Sequence, residues 1–203
     1  MGRPRSFDEE KALEAAAECF WSRGFEATSV RDLTCNMGIA GPSLYNAYGG
    51  KRGLFAAALD HYCNRTMRER IARLEASASG VAAIEAFFQD VIEKSLKDSG
   101  RKGCFLVNAA LEVAPHDPSL AEAIFGYFEE IRSFFRRHIE EAQAKGETPS
   151  SIDPGLYATH LLSVLMGIRV LARCCPDGSF LAAAARPPLE SLRISEPKRK
   201  EPS

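Results

Sequence analysis

Helical spacing of apolar positions runs through this chain from near its start to near its end. Leu13, Ala16, Ala17 and Phe20 share one face between Ser6 and Gly24, and Ser6 with Glu9 has the capping-box spacing that predicts a helix start there. A shorter stripe follows at Val30, Leu33 and Met37, opened by Ser29 and Asp32 in the capping spacing and stopped by Gly38. Gly41 and Pro42 open a third helix, because proline at a helix start lacks only an N–H that would have no helical partner there. Gly49 and Gly50 end it. Leu54, Phe55, Ala58, Leu59 and Tyr62 begin a longer helix that turns polar from Arg68 to Arg73 and stops among the small residues 77–80.

The second half continues in the same period. Ile84, Phe87, Phe88, Val91 and Ile92 form one stripe, residues 98–103 break it with two glycines, and the almost wholly apolar run from Cys104 to Ala114 predicts a buried helix. Pro115 and Pro118 bracket a turn with Asp117 as a cap. From there Leu120, Ile124, Tyr127, Phe128, Ile131, Phe134, Phe135 and Ile139 give an aromatic-rich helix ending at Gly146. Asp153 and Pro154 open a helix to about Cys174 whose apolar residues nearly encircle it, so both faces need cover. Phe180 to Leu192 is the last helix, and Pro187 and Pro188 are expected to interrupt it and leave it short or bent. No alternating run of useful length suggests a strand, and the fold class is all-α. The aromatic set Phe125, Tyr127, Phe128, Phe134 and Phe135 has two readings, packed core or the wall of an apolar ligand cavity between helices.

Composition narrows the function. The 203 residues are 45% hydrophobic with a net charge of −1, which suits a packed helical protein. Residues 1–60 hold seven Lys/Arg and eight Asp/Glu, so a general electrostatic coat for nucleic acid is excluded and any DNA binding must rest on a local, oriented set of donors. The sequence suggests no run near the roughly 18 apolar residues of a membrane span and no signal peptide, and a cytoplasmic location is expected. Six cysteines at 19, 35, 63, 104, 174 and 175 lie scattered, as free thiols of a reducing compartment do, and the adjacent last pair reads as a helix end. His61, His116, His138 and His160 show no metal spacing with them. There is no nucleophile–base motif and no glycine-rich phosphate loop, so no catalytic residue, metal or cofactor is assigned and the chain is not read as an enzyme.

The chemistry concentrates between Thr28 and Lys51. In the third helix Ala40, Gly41, Ser43 and Asn46 form a small or polar face that can approach base edges in a major groove, while Leu44 and Tyr48 can turn inward. Tyr45, Tyr48 and Lys51 carry the hydroxyl and ammonium donors that bind phosphate and fix register. Upstream, Arg3 and Arg5 in the sequence GRPR are either a minor-groove arm or a solvated terminus.

This stretch resembles the helix-turn-helix of the tetracycline-repressor (TetR) family of bacterial regulators. The match lies at Thr28, Leu33, Gly38, Ile39, Leu44, Tyr45 and Lys51. It departs at Ala40, Pro42, Ala47, Tyr48 and Gly50, where the family more often has Ser, Gly, His, Phe and Ser; PSLYNAYGGK is similar to a branch with PSLY-x-AFG-x-K. The resemblance implies a DNA-contacting set of Arg3, Arg5, Thr28, Ser29, Ala40, Gly41, Pro42, Ser43, Leu44, Tyr45, Asn46, Tyr48 and Lys51. It also implies a reader at 1–50, a helical ligand-binding and dimerisation part at 51–193, and a disordered tail at 194–203. The implied protein is a homodimer that binds a pseudo-palindromic operator, usually as a repressor, and responds to a small apolar ligand or an electrophile. Ala40 and Ala47 leave a second reading, a dimeric ligand-binding module whose DNA binding has degenerated.

A second segment, Arg101 to Pro118, is similar to a GC-(L/F)-(L/V)-V-N-x-A-x-E element of the same branch. In related electrophile-sensing repressors a cysteine at the place of Cys104 is the reactive one. A thiol in the first turn of a helix, beside Arg101 and Lys102, has surroundings that favour thiolate. The other reading of Cys104 is a small residue that helps Gly103 start a helix.

Overall fold

Ten α-helices make up the fold in a computed structural model, which describes residues 8–193; no strand occurs among them. They are α1 (Glu9–Arg23), α2 (Val30–Met37), α3 (Gly41–Tyr48), α4 (Lys51–Cys63), α5 (Glu69–Glu75), α6 (Gly80–Leu96), α7 (Phe105–Glu112), α8 (Pro118–Ala144), α9 (Pro154–Cys174) and α10 (Gly178–Ser191). A π-helical turn, Asn64–Arg68, separates α4 from α5. The all-α expectation holds. The tail at 194–203, with Arg3 and Arg5, lies outside the described residues.

The described residues fall into two compact units: residues up to Ile71 with Asp98–Glu129, and Ala72–Lys97 with residues from Glu130 onward. In the first, the buried stripe of α1 (Ala12, Ala16, Ala17, Phe20) packs on Leu54, Phe55, Ala58 and Leu59 of α4. Phe55 is its aromatic centre, with ring centroids 5.1 Å from Phe20, 5.0 Å from Phe25 and 5.5 Å from Phe105. Edge-on pairs of this kind add to what area burial alone contributes. On the rim, Asp60 accepts hydrogen bonds from Asn64 Nδ2 (3.0 Å), Arg68 Nη1 (3.3 Å) and Tyr127 Oη (2.8 Å), so one carboxylate gathers both ends of the π turn and α8.

In the second unit α6, α9 and α10 pack on one another around Ile84, Leu161, Leu165 and Leu181, and Phe87, Phe88, Phe134 and Phe135 form a second aromatic cluster. Glu141 accepts from Lys145 Nζ (2.8 Å) and from the backbone N–H of Gly80 (3.1 Å), and these partners hold its carboxyl at about 2.

Three expectations need correction. The cap of α1 is Asp8, whose side chain accepts from the N–H of Lys11, so the helix begins later than Ser6 implied. Pro187 and Pro188 do not interrupt α10, which continues to Ser191 with Pro188 buried. Tertiary contacts outweigh the two lost amides there: Tyr157 Oη donates to the Pro188 carbonyl at 2.7 Å, and Leu181, Ala185 and Leu192 are buried along the same face. Finally, α9 is long and apolar enough, by length and composition, to cross a membrane, although no such run was expected. It packs within its unit through Ala158, Leu161, Leu165, Ile168 and Ala172, and its Arg169 donates to Ser95 Oγ at 2.7 Å.

The aromatic stripe of α8 divides. Phe134 and Phe135 are fully buried core, Tyr127 and Phe128 are half-buried, and Phe125 is 61% exposed.

Candidate nucleic-acid interface

The segment from Thr28 to Lys51 folds as two short helices for local reasons. Ser29 Oγ accepts the N–H of Asp32 (3.1 Å) and donates to the Asp32 carboxylate (2.6 Å), which also accepts the N–H of Ser29 (3.0 Å). These bonds, with Arg23 3.2 Å away, hold the Asp32 carboxyl below its usual range. Gly38 ends α2 in the left-handed region at φ 64°, and α3 starts three residues later with no side-chain cap on Ala40.

Leu33, Met37 and Leu44 bury the inner face of the pair. On the outer face of α3, Tyr45 is 55% exposed, Ala40, Pro42 and Asn46 are exposed, and Gly41 and Ser43 are half-exposed. Exposed Pro42, Tyr45 and Asn46 with half-exposed Ser43 make a continuous surface one helix wide and largely polar, the shape a major groove admits. The helix is held close to α4 by Gly53: a Cβ there would lie 1.9 Å from the Tyr48 carbonyl oxygen, so no other residue fits without moving backbone.

The fold withdraws three side chains of the expected contact set. Thr28 is fully buried and its hydroxyl donates to the Gly24 carbonyl at 2.6 Å, so its side chain caps the α1–α2 turn rather than reaching outward. Leu44 is fully buried and is a core residue. Tyr48 is half-buried with its hydroxyl oxygen out of solvent, so it packs inward and that hydroxyl does not make the phosphate contact expected of it. Ser29 remains exposed beside its capping bonds. Lys51, the first residue of α4, points back over the α1–α2 loop: its ammonium lies 4.4 Å above the Phe25 ring and donates to the Glu26 carbonyl at 3.3 Å.

Two long-range pairings of this region carried no local signal in the sequence. Glu112, at the end of α7, accepts the N–H groups of Phe25 (3.0 Å) and Glu26 (2.9 Å) across 87 and 86 residues. Arg52, next to Lys51, is paired with Asp117. Only the place of Glu112 in the N-x-A-x-E pattern marked it, and nothing local gave its partner.

Cys104 stands at the N-cap of α7, half-exposed, with its sulfur 3.8 Å from Tyr62 Oη. The neighbouring cation is committed elsewhere: Lys102 Nζ lies 2.9 and 2.7 Å from the two carboxylate oxygens of Glu18 and 4.0 Å above the Trp21 ring. Asp98 accepts the Gly103 N–H at 2.8 Å, placing a carboxylate at this end of the helix too.

Residues 12–58 match the pattern described as "Bacterial regulatory proteins, tetR family", and residues 80–187 match "Tetracyclin repressor-like, C-terminal domain". The chain is 34% identical to the uncharacterized HTH-type transcriptional regulator YezE of Bacillus subtilis (strain 168), over 87% of this chain and 92% of that protein. It is 30% identical to the HTH-type transcriptional repressor ComR of Escherichia coli (strain K12), over 85% of this chain and 82% of that protein. Its fold is similar to that of a cysteine-substituted form of the TetR family transcriptional regulator CifR, solved with 26-bp double-strand operator DNA. The TM-score is 0.81 at 32% identity, over 93% of this chain and 99% of that one.

Proposed function

The chain belongs to the tetR family of bacterial regulatory proteins, and we propose that it is a ligand- or stress-responsive repressor that binds a pseudo-palindromic operator as a homodimer. As in the rest of that family its work is transcriptional regulation through a helix-turn-helix, not catalysis. The observation that carries the operator reading is the division of α3 between a buried Leu44 and an exposed face of Pro42, Tyr45 and Asn46 with Ser43 beside them. Ser43 and Asn46 read base edges. Ala40 and Gly41 keep this face small enough to approach the bases, and Ser29, Tyr45 and Lys51 bind phosphates, helped by the positive end of the uncapped α3. Residues 1–50 are the reader, and 51–193 carry ligand response and dimerisation.

Four large apolar side chains stand out on α9 and α10: Leu156 is 75% exposed, Val170 43%, Leu171 38% and Phe180 47%. Covering them with the same helices of a second copy gives a two-fold interface and explains the apolar outer face of α9 without a membrane. Two copies then present two α3 helices to successive major grooves, about 34 Å apart or a multiple of that. An apolar ligand, or an electrophile acting at Cys104, releases the operator by favouring a state of lower DNA affinity. A cytoplasmic location goes with this reading, because the operator DNA lies there.

Selection of bound duplexes from a random DNA pool by the purified chain tests this, with sedimentation of the free protein. A two-fold symmetric site and a dimer are the expected results. Failure to enrich any site, with a dimer still present, would replace this reading by the degenerate-module one.

A further inference from the structure

We infer that Glu112 is a positioning residue for DNA binding: from the end of α7 it fixes the loop on which Lys51 rests, and so presets the Lys51 ammonium for an operator phosphate. The inference rests on the operator-binding reading above. Three observations lead to it. The carboxylate takes two consecutive backbone N–H groups, Phe25 at 3.0 Å and Glu26 at 2.9 Å, and charge-assisted bonds of this kind are the strong ones. Those same two residues supply both of Lys51's supports, the Phe25 ring at 4.4 Å and the Glu26 carbonyl at 3.3 Å. The space for the carboxylate is kept by Gly24, where a Cβ would lie 2.9 Å from each of its oxygens.

The placement of Glu112 is not explained by α7 itself. A carboxylate in the last turn of a helix faces the negative end of the macrodipole, which disfavours it. The compensation comes from outside the helix, from the loop it binds. A lysine on a flexible four-carbon stem loses much side-chain freedom when it binds a phosphate, and a stem already seated on a fixed loop has less to lose. The chain thus ties the far end of the helix capped by Cys104 to the phosphate-binding lysine.

The test compares the full-length wild type with Lys51→Ala, Glu112→Ala and the double variant, on a duplex recovered by selection from a random pool. Affinity is measured across a salt series and thermal melting is recorded alongside. Lys51→Ala is expected to weaken binding about tenfold and to flatten the log–log salt slope by about one per half-site. Glu112→Ala is expected to flatten the slope in the same direction, and the double variant to be no weaker than Lys51→Ala. Glu112→Gln, nearly isosteric and keeping one acceptor, replaces the alanine variant if that does not fold, and should flatten the slope less. A wild-type slope in the Glu112 variants, or losses that add to that of Lys51→Ala, would overturn the inference and leave operator binding standing. If Lys51→Ala changes neither affinity nor slope, the inference falls together with the role given to Lys51. A wild type that selects no duplex removes the operator reading itself, and the inference with it.

Discussion

Arg52 and Asp117, 65 residues apart, meet as a two-pronged ion pair, with Arg52 Nη2 2.8 Å from Oδ1 and its Nε on Oδ2. Asp117 also caps α8 by accepting the N–H of Leu120 at 3.0 Å. The guanidinium first, and then the amide, hold this carboxyl at about 2, against an ordinary 3.8. A carboxyl depressed on folding contributes stability that is fully present above the unfolded value and is lost as pH falls through the folded one. The expected outcome is a melting temperature that falls between about pH 4.5 and 2, where Glu141 titrates in parallel. Asp117→Asn should melt below wild type at pH 7 and converge on it near pH 2. A gap between the two that is unchanged across that range would rule the pair out as a source of the acid sensitivity.

Gly53→Ala should be among the costliest single changes beside the reader, because its Cβ meets a carbonyl oxygen of α3 and not a movable side chain. Overpacking of this kind costs about 1–3 kcal/mol and forces backbone to shift. Here the segment that shifts carries α3, so denaturant melts and operator affinity should fall together. Wild-type values in both would mean that α3 and α4 separate easily.

Ser43 and Asn46 variants are expected to change which sequences are selected, whereas Tyr45→Phe should weaken binding to all sequences alike. Selection from the same random pool by each variant reads both effects. Preference unchanged in the Ser43 and Asn46 variants would move base reading to another face.

Cys104→Ser separates the two readings of that thiol. If it is the sensor, a thiol-reactive electrophile that displaces the wild type from DNA leaves the serine variant bound, with equal operator affinity before treatment. Equal release of both proteins would leave Cys104 a small helix-start residue, a role to which Lys102, held by Glu18, already offers no objection.

What the chain reveals locally and what it hides follow from the range of the interactions. The Ser29–Asp32 box, the stop at Gly38 and the start at Gly41 and Pro42 are settled within four residues, and they stand where the pattern put them. At the first helix two caps compete within three positions, and Asp8 takes the place that Ser6 and Glu9 suggested. Thr28 and Leu44 entered the contact set by their motif positions, although the spacing of Leu44 already let it turn inward, and both are fully buried. The partners of Glu112 and Asp117 could not be read, because each lies more than 60 residues away, whereas the cap that Asp117 gives α8 was legible in its spacing.

The passage of α10 through Pro187 and Pro188 makes its last turns dependent on neighbours. Two successive residues there have no amide hydrogen, so the turn cannot be held by its own ladder, and the Tyr157 hydroxyl reaches across from α9 to the Pro188 carbonyl. Nucleation of an isolated helix is already unfavourable, and here propagation is cut as well. The stability of this end of α10 is thereby tied to its contact with α9. A free peptide of residues 178–193 would be coil where the protein has its final helix.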